Sequence, residues 1–324
     1  MKPVLIIMMI TCLLSCIPDS ENTTYSVSYR KDEPAPTTGI KSFMGEELPR
    51  KQLSERVRKK YEKNLEKAEN DLYENPTKLD PIIWYGRRLA YLGRYQKAID
   101  AYSNGLKRYP ASYQLMRHRG HCYIITRQIG QAIDDFELAV FHSTGVKNAI
   151  EPDGIPNILN KPLRNNKFNI WYHFGFAYYL SGRFDKAVAA YKRCMDFSDN
   201  DDLLVATSYW LYLSAKRIGN DEMAAKALKN VSTSMKLIEN TKYFDLILLF
   251  KGAKKVEELL RKAEDKNGLL NPTLAYGIGN WYLQNGQVDD ARNIFWKTLE
   301  HPNWDAFGYI ATEADIQNMA TSVD

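Results

Sequence analysis

Cysteine is scarce here, and its placement tells more than its number. Of four cysteines in 324 residues, Cys12 and Cys16 fall at the start, while Cys122 and Cys194 are scattered through the body. That distribution excludes a disulfide-stapled scaffold and a cysteine-rich metal cluster, and it marks Cys122 and Cys194 as small buried hydrophobes. Proline is also sparse, at 13 residues, so most of the chain is free to be helical. Neither sign of charge dominates: the net charge is only +5, and Lys and Arg alternate with Asp and Glu along stretches such as Glu62 to Asp71. Such interleaving is a solvated helix face, and no nucleic acid partner is expected from it. No Gly-x-Ser-x-Gly elbow, phosphate loop or His-Glu-x-x-His is present. Gly277-Ile278-Gly279 lacks the third glycine of a dinucleotide loop. His118 and His121 are three apart on one helix face, but no third metal ligand accompanies them. No enzyme activity, cofactor or metal is expected.

A period of 34 residues is what the chain does have. Gly86 returns as Gly120, Ala98 as Ala132 and Pro76 as Pro110. The first unit carries Gly86, Gly93, Tyr95, Ala98, Tyr102 and Pro110; the second carries Gly120, Tyr123, Ile129, Ala132, Phe136 and Ala139. Gly175, Tyr178, Gly182, Phe184, Ala187 and Tyr191 repeat the pattern after an insertion. Small residues where two antiparallel helices approach and aromatics where they leave a gap predict an all-α solenoid of helix hairpins.

On these residues the chain resembles the tetratricopeptide repeat family, in which each repeat is a helix A, a tight turn and a helix B. Landmark spacing extends the array to about five to six repeats, some degenerate, with terminal capping helices. The expected organisation is a signal peptide (1–15), a flexible tether (16–47), a capping half-repeat (48–78) and repeats one and two (79–141). A loop insertion (142–167), repeats three and four (168–236), a degenerate hairpin (237–271) and a last repeat with a C-terminal cap (272–324) follow.

The resemblance also implies a concave groove lined by set positions of each helix A. These positions give Arg87, Arg117 and His121 at one end, to anchor an anionic group, and Tyr172, Phe176 and Tyr179 at the other, to hold the body of a ligand. The same spacing fits a second assignment, in which the aromatics are inter-repeat core and the arginines pair with neighbouring acids. The family's carboxylate clamp needs Lys and Asn at positions where this chain has Ile83, Arg87, His121, Asn169 and His173, so binding of chaperone tails is not expected. The insertion contains Glu151-Pro152-Asp153-Gly154-Ile155-Pro156-Asn157, a run of turn formers. It is expected to be an ordered loop bordering the groove, with Ile155, Ile158 and Leu159 to bury and with Glu151 and Asp153 able to reach Arg87 and Arg117.

At the N-terminus, Lys2 precedes the apolar-rich run Val4 to Leu14, too short for a bilayer core that needs about 20 residues. Leu13-Leu14-Ser15-Cys16 resembles a bacterial lipobox, which implies diacylation of Cys16 and a lipid-anchored protein of the cell envelope. The alternative is a generic signal or a retained anchor helix. Ile17, rather than Asp, after that cysteine resembles the enteric signal for the outer membrane. Together these features predict a tethered, non-catalytic scaffold for a protein or peptide partner. Capture of an anionic or carbohydrate ligand for a transport system is the alternative.

Overall fold

A computed structural model describes residues 37–321; the expected signal peptide, Cys16 and most of the expected tether lie outside the described residues. The helices run α1 (Glu55–Glu74), α2 (Leu79–Tyr91), α3 (Tyr95–Arg108), α4 (Tyr113–Ile125), α5 (Ile129–Ser143), α6 (Asn166–Leu180) and α7 (Phe184–Met195). They continue as α8 (Asp201–Arg217), α9 (Asp221–Lys229), α10 (Thr241–Phe250), α11 (Val256–Ala263), α12 (Pro272–Gln284), α13 (Val288–Thr298) and α14 (Phe307–Thr321). From α2 to α13, consecutive pairs form six stacked hairpins, the architecture expected from the period.

The same local chemistry builds the hairpins. Side-chain oxygens of Ser112, Asn165, Asn200, Asn220 and Asn271 accept the free amides opening α4, α6, α8, α9 and α12. Between A and B helices the chain passes through the left-handed region, at Gly93, Gly182, Gly219 and Gly286, with φ between 68° and 75°. Inside the first three hairpins and the last, a helix A glycine faces a helix B aromatic ring sixteen residues later, whereas α8 and α10 carry no glycine. A Cβ on Gly86 would sit 2.3 Å from Tyr102, and one on Gly279 2.2 Å from Phe295.

The second hairpin breaks the turn rule. Arg127 occupies the place of Gly93 and adopts φ 62°, a conformation that costs a side-chain-bearing residue about 1 kcal/mol or more. Its guanidinium is buried in a bidentate pair with Glu313 of α14, 2.7 Å and 3.0 Å, and also donates to the Trp304 carbonyl.

This pair explains a departure from expectation at each end of the chain. Trp304 to Ile316 packs on α12 and α13 of the last repeat, as a cap does, but its reach goes beyond that repeat. It folds back along the concave side, where Phe307 stacks on Phe176 of α6 at 4.1 Å and Asp315 accepts from Arg217 of α8 and Tyr276 of α12. Nor is 37–47 a free tether: β1 (Thr37–Lys41) and β2 (Glu47–Pro49) form a hairpin against α14. There the Phe43 amide donates to Glu313, and the Gln317 amide group donates to the Phe43 carbonyl. The two ends meet through Lys51 and Asp305 at 2.6 Å and through the Trp304 indole N–H on the Pro49 carbonyl. Their partners lie some 250 residues apart, so no local periodicity announces them.

Arg127→Gly relieves the strained turn but strands a buried carboxylate. It is expected to lose about 2–4 kcal/mol in chemical denaturation, and Arg127→Gly/Glu313→Gln to recover part of that loss. An unchanged denaturation midpoint for Arg127→Gly would show that the closure contributes nothing to stability.

Candidate functional site

With α14 laid along the concave side, what stays open is a cavity of about 440 Å³ at the end nearest the first hairpins. Helix α2 brings Arg87, α4 brings Arg117, His118 and His121, and α6 brings Asn169, Tyr172 and His173. Arg117 and His118 are four and three residues from His121, and Tyr172 and His173 three and four from Asn169, so each helix turns one face inward. The 151–155 segment of the insertion covers the cavity, and Phe307 and Asp305 close its inner side.

The covering loop is held by polar contacts. Glu151 pairs with Arg117 at 3.0 Å and accepts from Asn169 at 2.9 Å, while Arg88 donates to the Gly154 carbonyl at 2.9 Å. Gly154 lies so close to Tyr91 that a Cβ there would be 1.8 Å from its hydroxyl. Further out, Asn157 and Arg164 both bind Glu239. The loop's apolar residues are not its anchors, contrary to expectation: Ile155, Ile158 and Leu159 are 50%, 64% and 62% exposed. Short-range carboxylate and backbone contacts outcompete burial of three side chains at a loop tip.

Three imidazoles line the cavity, and hydrogen bonds set the tautomers of His118 and His173. Arg117 donates to His118 Nδ1 at 2.8 Å, which leaves the proton of that ring on Nε2. His173 Nδ1–H donates to the Asn169 carbonyl, and the His121 ring meets His173 edge-on at 4.9 Å. Burial, reinforced by the Arg117 guanidinium, pushes His121 down to about 3 and holds His118 well below its usual value. Burial and then His121 do the same to His173. All three are neutral donors and acceptors at pH 7. Burial, with Glu239 nearby, raises the Asp153 carboxyl.

Arg87, Arg117, His121 and Tyr172 come together at this cavity with Glu151 and Asp153. Phe176 and Tyr179 do not. Phe176 is fully buried between Trp210 and Phe307, and the Tyr179 hydroxyl bonds Tyr276 at 2.6 Å. Phe176 is core because Phe307 of α14 stacks on it, and Tyr179 because Trp210 of α8 and Tyr276 of α12 enclose it. Sequence reasoning missed Lys51, Asp305 and Phe307, which reach the site only through the fold-back. Arg127 had a visible signal, as a non-glycine where the period demands glycine. Among the described residues no group of three His, Cys, Asp or Glu side chains is arranged to hold a metal ion. Burial pushes the Cys122 and Cys194 thiols up to about 12, far from a nucleophile's range.

Depressed imidazoles make stability depend on pH. The unfolded chain takes up protons on these rings near 6.5 and the folded chain does not, so their contribution is present above that value and is lost as pH falls. Asp153, with a raised pKa, acts with the opposite sign closer to the ordinary carboxylate range of about 4. The melting temperature is expected to drop between pH 7 and pH 5, and His121→Gln to flatten that drop; parallel profiles for the two proteins would contradict the assignment.

Residues 86–145 and 168–201 match family models described as tetratricopeptide repeat. The BBSome complex member BBS4 of Bos taurus is 26% identical over 160 residues, 49% of this chain and 26% of that protein. Its Mus musculus counterpart is 25% identical over 140 residues, 43% of this chain and 22% of that protein. The chain thus spans about a quarter of the length of these curated relatives. Among solved structures, YrrB, described as a TPR protein with an unusual peptide-binding site, is 14% identical with a TM-score of 0.40 over 77% of this chain and 97% of that one. MamA is 18% identical with a TM-score of 0.37 over 66% of this chain and 92% of that one. The matched segments coincide with the helix hairpins α2 to α5 and α6 to α7: this chain carries tetratricopeptide repeats, and its described residues form a helical solenoid built on them.

Proposed function

We propose that the protein is a non-catalytic binding module of the bacterial cell envelope, lipid-anchored through Cys16, that captures a small polar ligand in the cavity beneath the 151–155 loop. One observation carries the capture: three buried polar atoms at the cavity, Arg117 Nε, Asp153 Oδ2 and Asn169 Oδ1, have no hydrogen-bond partner. A buried donor or acceptor left unpaired costs about 1–3 kcal/mol, and three at one cavity are a recognition pattern for a ligand. Against a peptide in the main groove stands α14, whose own side chains fill it. The anchor rests on the Leu13-Leu14-Ser15-Cys16 sequence.

A second reading keeps a protein partner and moves it to the outside. Phe141 of α5 is 72% exposed, and with Ile150, Ile158 and Leu159 it puts several large apolar side chains on or beside the insertion.

Dialysis of the protein against a polar metabolite extract, followed by native mass spectrometry, is expected to show one bound small molecule per chain and none on Arg87→Gln. If wild type retains nothing, while a protein cross-linked in cells is lost from Leu159→Ser and kept by Arg87→Gln, the second reading replaces the first. In cells, Cys16→Ser is expected to abolish labelling by a palmitate analogue and release the protein from membranes; persistent labelling would refute the anchor.

A further inference from the structure

Taking the cavity as a ligand site, the pairing of its charges specifies the ligand's chemistry. Four cations and three carboxylates line it. Lys51 is bound to Asp305, Arg117 to Glu151, and Arg164 to Glu239 just behind the wall. Arg87 and Asp153 are left, and neither has an ion-pair partner among the described residues. Arg87 is nonetheless 9% exposed, held by the Trp84 ring at 4.3 Å and by its Nε–H on the Tyr91 hydroxyl at 3.3 Å.

The unpartnered atoms divide in the same way. Arg117 Nε is a donor in want of an acceptor, and burial, with the Arg87 guanidinium nearby, lowers the affinity of Arg117 for its proton. Asp153 Oδ2 and Asn169 Oδ1 are acceptors in want of donors. Asn169 is 1% exposed, and its amide orientation is set by donation of its Nδ2 to Glu151. The cavity therefore offers unsatisfied donors on Arg87 and Arg117 together with unsatisfied acceptors on Asp153 and Asn169. Tyr172 and Phe307 line the same space and supply apolar faces.

We propose that this cavity binds a small zwitterion, a free α-amino acid or a dipeptide with both termini free, with its carboxylate at the arginines and its ammonium at Asp153 and Asn169. A purely anionic ligand would satisfy the donors and leave both acceptors buried and unpaired; a zwitterion satisfies all of them without adding net charge. Volume sets the upper size. A single α-helical turn about 10 Å across and 5.4 Å long fills roughly 420 Å³, so a longer folded peptide does not fit in about 440 Å³.

The test is calorimetric titration at pH 7 with the twenty free amino acids and alanyl-alanine, then with the N-acetyl and C-amide forms of whichever binds best, and with glucuronate as a monoanion of similar size. At least one zwitterion is expected to bind, and each blocked form to bind about tenfold more weakly or worse. Asp153→Asn should remove the preference over the N-acetyl form, and Arg87→Gln the preference over the amide. The melting temperature of each variant, read alongside, identifies any that fails to fold. Equal binding of the N-acetyl form, or binding of glucuronate alone, overturns the zwitterion and leaves ligand capture standing. Absence of binding by every zwitterion overturns this proposal; whether capture itself fails is then read from the metabolite dialysis.

Discussion

One buried ion pair decides what kind of solenoid this is. Arg127 and Glu313 are both almost wholly withdrawn from water and bind through two hydrogen bonds. A buried pair is a weak source of net stability but a strong source of specificity, because either charge alone is costly and only one arrangement satisfies both. Here it dictates that the C-terminal helix lies along the concave side beside the early repeats. Everything else at that end follows: the β1–β2 hairpin has a surface to dock on, Trp304 packs edge-on against Tyr95 at 5.9 Å, and Asp305 reaches Lys51. Burial alone would raise the Asp305 carboxyl, but Lys51 and the Tyr95 hydroxyl hold it below its usual range, so the junction is ionised at neutral pH.

The closure also converts an open surface into a chamber. A tetratricopeptide array ordinarily offers an extended concave face. In this chain that face is shared between α14, which takes the stretch along α6, α8 and α12, and a cavity walled by α2, α4 and α6 under the insertion. The residues are divided accordingly. Aromatics beneath α14 become core, and polar groups beneath the loop keep unpaired hydrogen-bonding capacity. The imidazoles there are neutral and the nearest thiol is protonated, so at pH 7 that part of the wall acts through hydrogen bonds rather than charge.

The repeat architecture was legible because its determinants are local. The 34-residue period, the glycine opposite an aromatic ring and the glycine at the A–B turn all act within one hairpin, and α2 to α7 follow them except at the turn held by Arg127. The grouping of Arg87, Arg117 and His121 was legible for the same reason, since helix geometry places them, but His121 joins them as a neutral ring rather than a cation. What was not legible depends on contacts between distant parts of the chain. Phe176 and Tyr179 carry the same helical spacing whether they face solvent or a returning helix, and nothing near them in sequence says that Phe307 will cover the first or that Tyr276 will bond the second. The ordering of residues 37–49 was hidden likewise, since its partners lie in α14. Arg127 is the instructive intermediate, a local irregularity that is visible in the sequence and explained only by Glu313.

Tying the first described segment to the last has a consequence for how this array comes apart. An open repeat protein behaves as a one-dimensional chain of neighbours, and its terminal units fray first because each has only one interface. Here the two ends of the described residues are joined to each other and to the middle, so neither the 37–51 segment nor the last hairpin has only a single neighbour. Loss of structure cannot creep inward one hairpin at a time without first opening the seam at Lys51, Asp305 and Trp304, and that seam borders the cavity. A bound ligand and the seam therefore hold the same elements together, and filling the cavity makes the opening of either end a cooperative event for the whole superhelix.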